Sequence, residues 1–299
     1  MEEKAPFVTR FAPSPNGWLH LGHAYSALVA DACAKAHGGT FLVRIEDIDI
    51  GRARPHFVDG IEQDLHWLGL EWPTPVMHQS SRFDIYAASL ERLRDLNLVY
   101  PCWATRREIT EAIGPPDEAR NWPRDPDGAL IYPGLYRDID ETRRQELMWR
   151  GGSYAWRLDM EAACALAEDK NNGPLSYLEV SSGTPVDTPV DARLYGDVIV
   201  ARKDVPTSYH LAVTLDDAAQ QVTQVTRGQD LQAATAVHRV LQTVLDLPVP
   251  TYFHHQLIRD VSGRRLSKQA GDHGFSDLRQ QGLSLDDVMA LLPDRKSVV

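Results

Sequence analysis

The strongest constraint on the fold lies near the start of the chain. A β-prone pentapeptide, FVTRF at residues 7–11, leads into PSPNGWLHLGH at residues 13–23, an alanine-rich run, and a second apolar segment, TFLVRIED, from residue 40. Ala, Leu and Val recur with helical spacing over residues 22–37, and Gly38-Gly39 punctuates the step to the second apolar segment, which predicts a β-α-β unit. Strands joined by a helix of that length pair in parallel, and ligands of such sheets bind at the carboxyl ends of the strands. Pro13 and Pro15 stiffen the exit from the first strand, Asn16-Gly17 permits a tight turn, and Gly22 lets a ligand approach the backbone where the helix opens. A helix N-terminus offers unpaired N–H groups and partial positive charge, an environment suited to phosphate. His20 and His23 fall in that first turn, where ring donors can stabilise phosphate oxygens. Taken alone, the pair is equally compatible with zinc ligation or an ordinary surface.

With 299 residues, 43% of them hydrophobic, the chain can bury a real core and suits one large or two modest domains. No run of eighteen or more apolar residues occurs, and MEEKAPFVTR has neither the basic nor the apolar region of a signal peptide. A cytoplasmic protein with no membrane partner is expected. Cys33, Cys102 and Cys164 are scattered and odd in number, so free thiols are expected in place of a disulfide framework. A net charge of -11 argues against nucleic-acid binding through overall charge but leaves room for a local basic surface. Candidates are Arg106, Arg107 and the region of Arg264, each of which reads as solvated surface when taken singly.

Further along, helical patterns cover residues 57–68 and 83–96. From residue 100 to about 137 the chain is rich in Pro, Gly, Asp and Arg, which predicts long loops within an insertion. β-like segments are expected at residues 195–202, 208–217 and 221–228, followed by a helix over 231–245, as if a parallel sheet were interrupted and then resumed. The expected fold class is therefore α/β. Its predicted divisions are residues 1–99 for the first half of the catalytic sheet, 100–194 for the insertion, 195–250 for the second half, and 251–299 for a C-terminal region with a frayed tail.

The segment TRFAPSPNGWLHLGH, with RIEDID downstream and RRLSKQ near the C-terminus, resembles class I aminoacyl-tRNA synthetases, and among them the glutamyl branch, over nearly the whole chain. HLGH stands for the first signature of that class and RLSKQ, residues 265–269, for its lysine loop. The resemblance implies a Rossmann-type parallel sheet, ATP with Mg²⁺ as its counter-ion, and L-glutamate as substrate. It implies that His20, Gly22, His23 and Lys268 bind ATP, and that His20, His23 and Lys268 stabilise the transition state as the amino-acid carboxylate attacks the α-phosphorus. Ser14 and Glu46 would hold the ammonium group, with Arg10, Tyr209 and Arg227 around the distal carboxylate and Phe11, Ala12 and Pro13 beside them. Two arginines favour an anion over its amide, hence glutamate over glutamine. Without the resemblance, Tyr209 reads as a core tyrosine, Arg227 as a strand-end charge, and Arg44, Asp47 and Asp49 as loop charges.

Three departures from the glutamyl branch shape the expected function. Val213 stands where full-length members usually carry an asparagine four residues after the tyrosine, so a hydrogen bond to substrate is expected to be missing. About thirty residues follow Lys268, too few for a helical anticodon-binding part, which gives an expected fold with no anticodon-binding domain. Truncated members of this kind, the glutamyl-Q tRNA(Asp) synthetases, activate glutamate without tRNA and attach it to the queuosine base in the anticodon of tRNA(Asp). LSKQ and TRGQDL resemble that subgroup, and the anticodon stem-loop of tRNA(Asp) carrying queuosine is the expected partner of a monomer. Lastly, Ala104 and Tyr136 occupy two cysteine positions of a zinc site that many members carry, leaving Cys102 and Tyr132. A closed tetrahedral site needs four good ligands, so zinc is expected to be absent and replaced by packing of Trp103, Tyr132 and Tyr136. Two other readings stay open: a trimmed glutamyl-tRNA synthetase charging a tRNA 3′ end or another acceptor, and an inactive paralogue that binds RNA or nucleotide as a regulator. His20, His23 and Lys268 together speak against the latter.

Overall fold

The computed structural model describes residues 6–181, 184–258 and 274–293. The expected lysine loop, with Gly263, Arg264, Arg265 and Lys268, and the tail from residue 294 lie outside the described residues. The chain opens with β1 (Val8–Phe11), α1 (Leu21–Ala36), β2 (Thr40–Ile45), α2 (Pro55–Trp67), β3 (Met77–His78) and α3 (Phe83–Asp95). There follow β4 (Val99–Cys102), α4 (Arg106–Ile113), α5 (Pro116–Asn121), α6 (Glu141–Arg150), β5 (Ala155–Leu158), α7 (Met160–Asn171), β6 (Ser176–Ser181), β7 (Thr184–Pro189) and β8 (Ile199–Arg202). The remainder is α8 (Tyr209–Ala219), β9 (Gln224–Gly228), α9 (Thr235–Val244), β10 (Thr251–His255), α10 (Phe275–Gln280) and α11 (Leu285–Ala290).

Two sheets of parallel character meet at β1 and β9. On one side β1 pairs with β2 and β2 with β3, all parallel, and on the other β9 pairs in parallel with β10, beyond which lie β6 and antiparallel β7. Their junction is narrow: the Thr223 N–H donates to the Val8 carbonyl at 3.0 Å, and the Val8 N–H donates to Thr223 Oγ1 at 2.8 Å. Strand order across the junction is β3-β2-β1-β9-β10, in which the chain reverses direction of travel at β1, the kind of switch point where a crevice opens at the carboxyl ends.

Packing explains why the crevice has firm walls. Ala24, Ala27, Leu28 and Ala30 on α1 bury against Val43 and Ile45 of β2 and Ile61 and Leu65 of α2, and Phe275, Leu278 and Val288 of the last two helices close the same cluster. The Phe275 N–H donates to the Leu19 carbonyl at 2.9 Å, so α10 fastens the segment that precedes α1. A second cluster joins α3, α7, α8 and α9. Gly60 permits the segment before α1 to lie on α2, because a Cβ there would run into the Trp18 ring.

Four local expectations differ from the structure. Residues 208–217 form helix α8, not a strand: Leu211 to Asp217 are all buried, so no polar stripe marks the helical period and the run reads like a buried strand. Residues 199–202 do form a strand, but β8 pairs antiparallel with β5, which pairs antiparallel with β4; the parallel arrangement resumes at β9 instead. β6, from within the expected insertion, joins β10, and β10 itself extends the sheet past residue 250. The segment expected to form long loops contains α4, whose Thr105 and Glu108 make a reciprocal capping box, and α5.

Among the described residues, no helix is long and apolar enough to cross a membrane.

Candidate functional site

A cavity of roughly 430 Å³ opens at the carboxyl ends of β1 and β9. Arg10, Phe11, Ala12, Pro13, Ser14, His20, Gly22, His23, Glu46, Tyr209 and Arg227 all line it, so every described residue expected at the site from the sequence is brought together. Backbone ties hold the loop over β2: the Glu46 N–H donates to the Pro13 carbonyl at 3.0 Å, and the Arg54 N–H to the Pro15 carbonyl at 3.1 Å. Ser14 is thereby kept beside Glu46.

Beneath the cavity Arg10 donates from Nε and Nη2 to the two oxygens of Asp217, at 2.9 and 3.2 Å, and from Nη1 to the Thr226 carbonyl at 3.3 Å. Arg44 donates to the same Asp217 at 2.8 Å and to Gln220 at 2.8 Å, and stands 3.6 Å from Glu46. The sequence left Arg44 open as a loop charge; it is a fully buried member of β2. Burial alone would raise the Asp217 carboxyl, yet the charges of Arg10 and Arg44 and their hydrogen bonds outweigh it and hold the group below its ordinary value. For Glu46 the balance goes the other way: burial pushes it up to about 7 against the pull of Arg44 and Arg10. Asp217 was missed in the sequence because its helix was read as a strand, which hides which side of the segment faces β1.

Across the cavity the Arg227 guanidinium, on β9, makes a different set of bonds. It donates from Nε to His254 Nε2 at 3.1 Å, from Nη1 to His238 Nδ1 at 3.2 Å, and from Nη2 to Thr235 Oγ1 at 2.6 Å. None of these partners is a carboxylate, and Arg227 enters no ion pair among the described residues. Tyr209, the first residue of α8, stands with its ring centroid 5.7 Å from that of His238, and burial pushes its phenol up. Val213, whose departure from the family pattern was expected to cost a substrate contact, is buried in α8 and lines neither of the cavities described.

At the mouth, the histidines cap α1. The Gly22 N–H donates to His20 Nδ1 at 3.1 Å, and the His20 N–H donates to His23 Nδ1 at 3.2 Å, with the ring centroids 3.8 Å apart. Because each Nδ1 accepts, the hydrogen of each neutral imidazole lies on Nε2. A helix N-terminus thus carries two ring N–H donors in addition to its own amides, a built arrangement for an anion. A Cβ at Gly22 would meet the His20 ring at 3.0 Å, so a larger residue there would shift that ring.

A second cavity, roughly 630 Å³, adjoins the first and shares Ser14, Asn16, Glu46 and Tyr209 with it. Its far wall comes from the region around β5 and β8, with Asp125, Asp127, Tyr132, Arg157 and Tyr195. In that region the Cys102 thiol donates to Tyr132 Oη at 3.2 Å, as does the Tyr136 N–H at 3.2 Å, and the Arg157 guanidinium lies 3.8 Å from the Tyr132 ring centroid. Trp103 packs against Tyr136 and Tyr154 at 5.7 and 5.5 Å. Among the described residues no group of three or more His, Cys, Asp or Glu side chains able to hold a metal occurs. Arg106 and Arg107 are exposed at the start of α4, where Arg107 is 3.7 Å from Glu111.

A family model for the catalytic domain of class I tRNA synthetases (E and Q) matches residues 6–284. The chain is 45% identical to the glutamyl-Q tRNA(Asp) synthetase of Rhodobacter capsulatus over 287 residues, covering 95% of this chain and 99% of that protein. It is 40% identical to the glutamyl-Q tRNA(Asp) synthetase of Nocardia farcinica, covering 95% of this chain and 83% of that one. Among solved structures, a glutamate-tRNA synthetase from Elizabethkingia anophelis superposes with a TM-score of 0.70 at 26% identity, covering 89% of this chain and 53% of that chain, so this chain spans about half the length of that enzyme.

Proposed function

The chain belongs to the class I tRNA synthetases of the E and Q type and is a ligase of that kind, and from this we propose that it activates L-glutamate with ATP and transfers it to queuosine in the anticodon of tRNA(Asp). The single observation that carries the amino-acid assignment is Arg227, a buried guanidinium whose three acceptors are all neutral. A substrate carboxylate beside it gains a charge-assisted bond that an amide cannot match.

In this reading the glutamate ammonium group bonds to Glu46 and Ser14, and the side-chain carboxylate lies among Arg10, Tyr209 and Arg227, all of which line one cavity. The α-carboxylate oxygen attacks the α-phosphorus of ATP; an O–P bond forms, the bond to the bridging oxygen breaks, and pyrophosphate leaves with its electron pair. ATP brings Mg²⁺ as a counter-ion. Negative charge accumulates on the phosphate oxygens, and in this reading the Nε2–H groups of His20 and His23, together with the N-terminus of α1, receive it. Lys268, outside the described residues, is assigned the pyrophosphate side by its motif, and Lys268→Ala is expected to lower activation by roughly two or more powers of ten. An acceptor hydroxyl then attacks the glutamyl carbonyl and AMP departs. The adjoining cavity, with Tyr132, Tyr195, Arg157 and the carboxylates of Glu46, Asp49, Asp125, Asp127 and Asp197, offers room for the acceptor nucleoside. Names of relatives covering nearly the whole chain support queuosine as that nucleoside.

Pyrophosphate exchange with glutamate and ATP but no tRNA tests the first step, and labelled glutamate on tRNA(Asp) with and without queuosine tests the second. Label on an anticodon fragment, dependent on queuosine, is expected. Label at the 3′ end would replace this acceptor with the ordinary one.

A further inference from the structure

Arg10 and Arg227 face the same cavity, but their charges differ in availability. Arg10 is held by both oxygens of Asp217, which also binds Arg44. Arg227 is oriented with equal completeness by two imidazoles and a hydroxyl. The hydrogens in this second arrangement are fixed link by link. His254 Nδ1 stands 2.7 Å from Glu179 and donates to it, so its Nε2 is the acceptor for Arg227. A guanidinium can only donate, so His238 Nδ1 accepts, and its hydrogen lies on Nε2, which donates to His210 Nδ1 at 3.3 Å. Each ring is neutral and in one tautomer. Burial, with the Arg227 charge second, holds His238 well below its ordinary value and His210 down to about 4. His254 is also held low by burial, although its bond to Glu179 pulls the other way.

We propose that His238 and Thr235, with His254, determine amino-acid specificity by orienting Arg227 through neutral acceptors only, so that its charge remains for the side-chain carboxylate of the substrate. Arg10 then contributes geometry, and Arg227 the charge that refuses glutamine. This rests on the reading of the cavity as a glutamate site. The three residues are positioning residues, since they act through Arg227.

An isosteric pair tests the charge separately from the packing. In His238→Asn and His238→Asp a side-chain oxygen can stand near the site of the imidazole Nδ1, and the two variants differ in charge but hardly in size. The readout is the ratio of kcat/KM for glutamate over glutamine in pyrophosphate exchange, with the split between KM and kcat recorded. His238→Asn is expected to keep that ratio within about threefold of the parent, and His238→Asp to lower it at least about tenfold, mainly through the glutamate KM. Equal ratios in the two variants would overturn the inference, because size and not charge would then govern. Should His238→Asp fail to fold, Thr235→Asn and Thr235→Asp repeat the contrast beside Nη2, at the first residue of α9, where a carboxylate suits the helix N-terminus. An unmodified protein that exchanges with no glutamate at all would instead remove the reading of the cavity; an active one in which the contrast is missing removes this inference alone.

Discussion

Asp217 grips the guanidinium of Arg10 with both carboxylate oxygens, at 2.9 and 3.2 Å, across 207 residues of sequence. Both side chains are nearly buried, at 9% and 5% exposure, so neither charge can fall back on water if the other is lost. Arg44 depends on the same carboxylate. Asp217→Asn is therefore expected to destabilise the fold by about 3–5 kcal/mol, since removing one partner of a buried pair strands the other. Urea unfolding measures this; a midpoint unchanged from the parent would mean that water or a neighbour compensates the arginines.

Glu46 should set the pH dependence of amino-acid binding. Its carboxyl, raised by burial to about 7, is protonated below that value and ionised above it, and only the ionised form pairs with an ammonium group. The glutamate KM should fall as pH rises through about 7 and climb toward tenfold per unit below it. In Glu46→Gln this dependence should vanish, with KM raised roughly tenfold to a hundredfold. A pH profile of the variant that matches the parent would assign the titration to another group.

The histidines at the start of α1 have two separable tasks. Nδ1 caps the helix, while Nε2–H is the proposed phosphate donor. Asn supplies an acceptor at the Nδ1 site and is a good N-cap, but has no counterpart of the far nitrogen. His20→Asn should thus leave the unfolding midpoint almost unchanged and lower the exchange kcat by roughly a hundredfold to a thousandfold. If kcat holds while stability drops, the ring serves the helix and not the chemistry.

Tyr132 ties together the region between β4 and β5. Its oxygen accepts from the Cys102 thiol and from the Tyr136 N–H, so Tyr132→Phe should cost about 1–3 kcal/mol by leaving a backbone donor unmatched. Metal analysis should find no stoichiometric zinc, and a chelator should leave the unfolding midpoint in place. One zinc per purified chain would contradict this account of the region.

The β-α-β opening was legible because local signals agree there: an apolar strand, a glycine-punctuated turn, and a helix of small residues against the second strand. The residues gathered around the first cavity were reached through motif resemblance, with geometry unseen until the strands were aligned. Helix α8 was not legible, since a helix buried on every side carries no stripe to give its period away. That error concealed Asp217 and, with it, the reason Arg44 can be buried. The partner of β8 was hidden for another reason: an apolar, β-branched run records that it will pair but not with which strand. For α4 the signal was present, in Thr105 and Glu108 at capping-box spacing, within a segment whose prolines and glycines drew attention elsewhere.

The narrow join between Val8 and Thr223 also has a meaning for the chain as it is made. Arg10 leaves the ribosome long before the aspartate that holds it, and Arg227 follows later still. Until that distant stretch arrives, the nascent polypeptide has an arginine in want of its counter-charge and half a crevice. Recognition of an amino acid is thus deferred, by topology alone, to a late moment of synthesis.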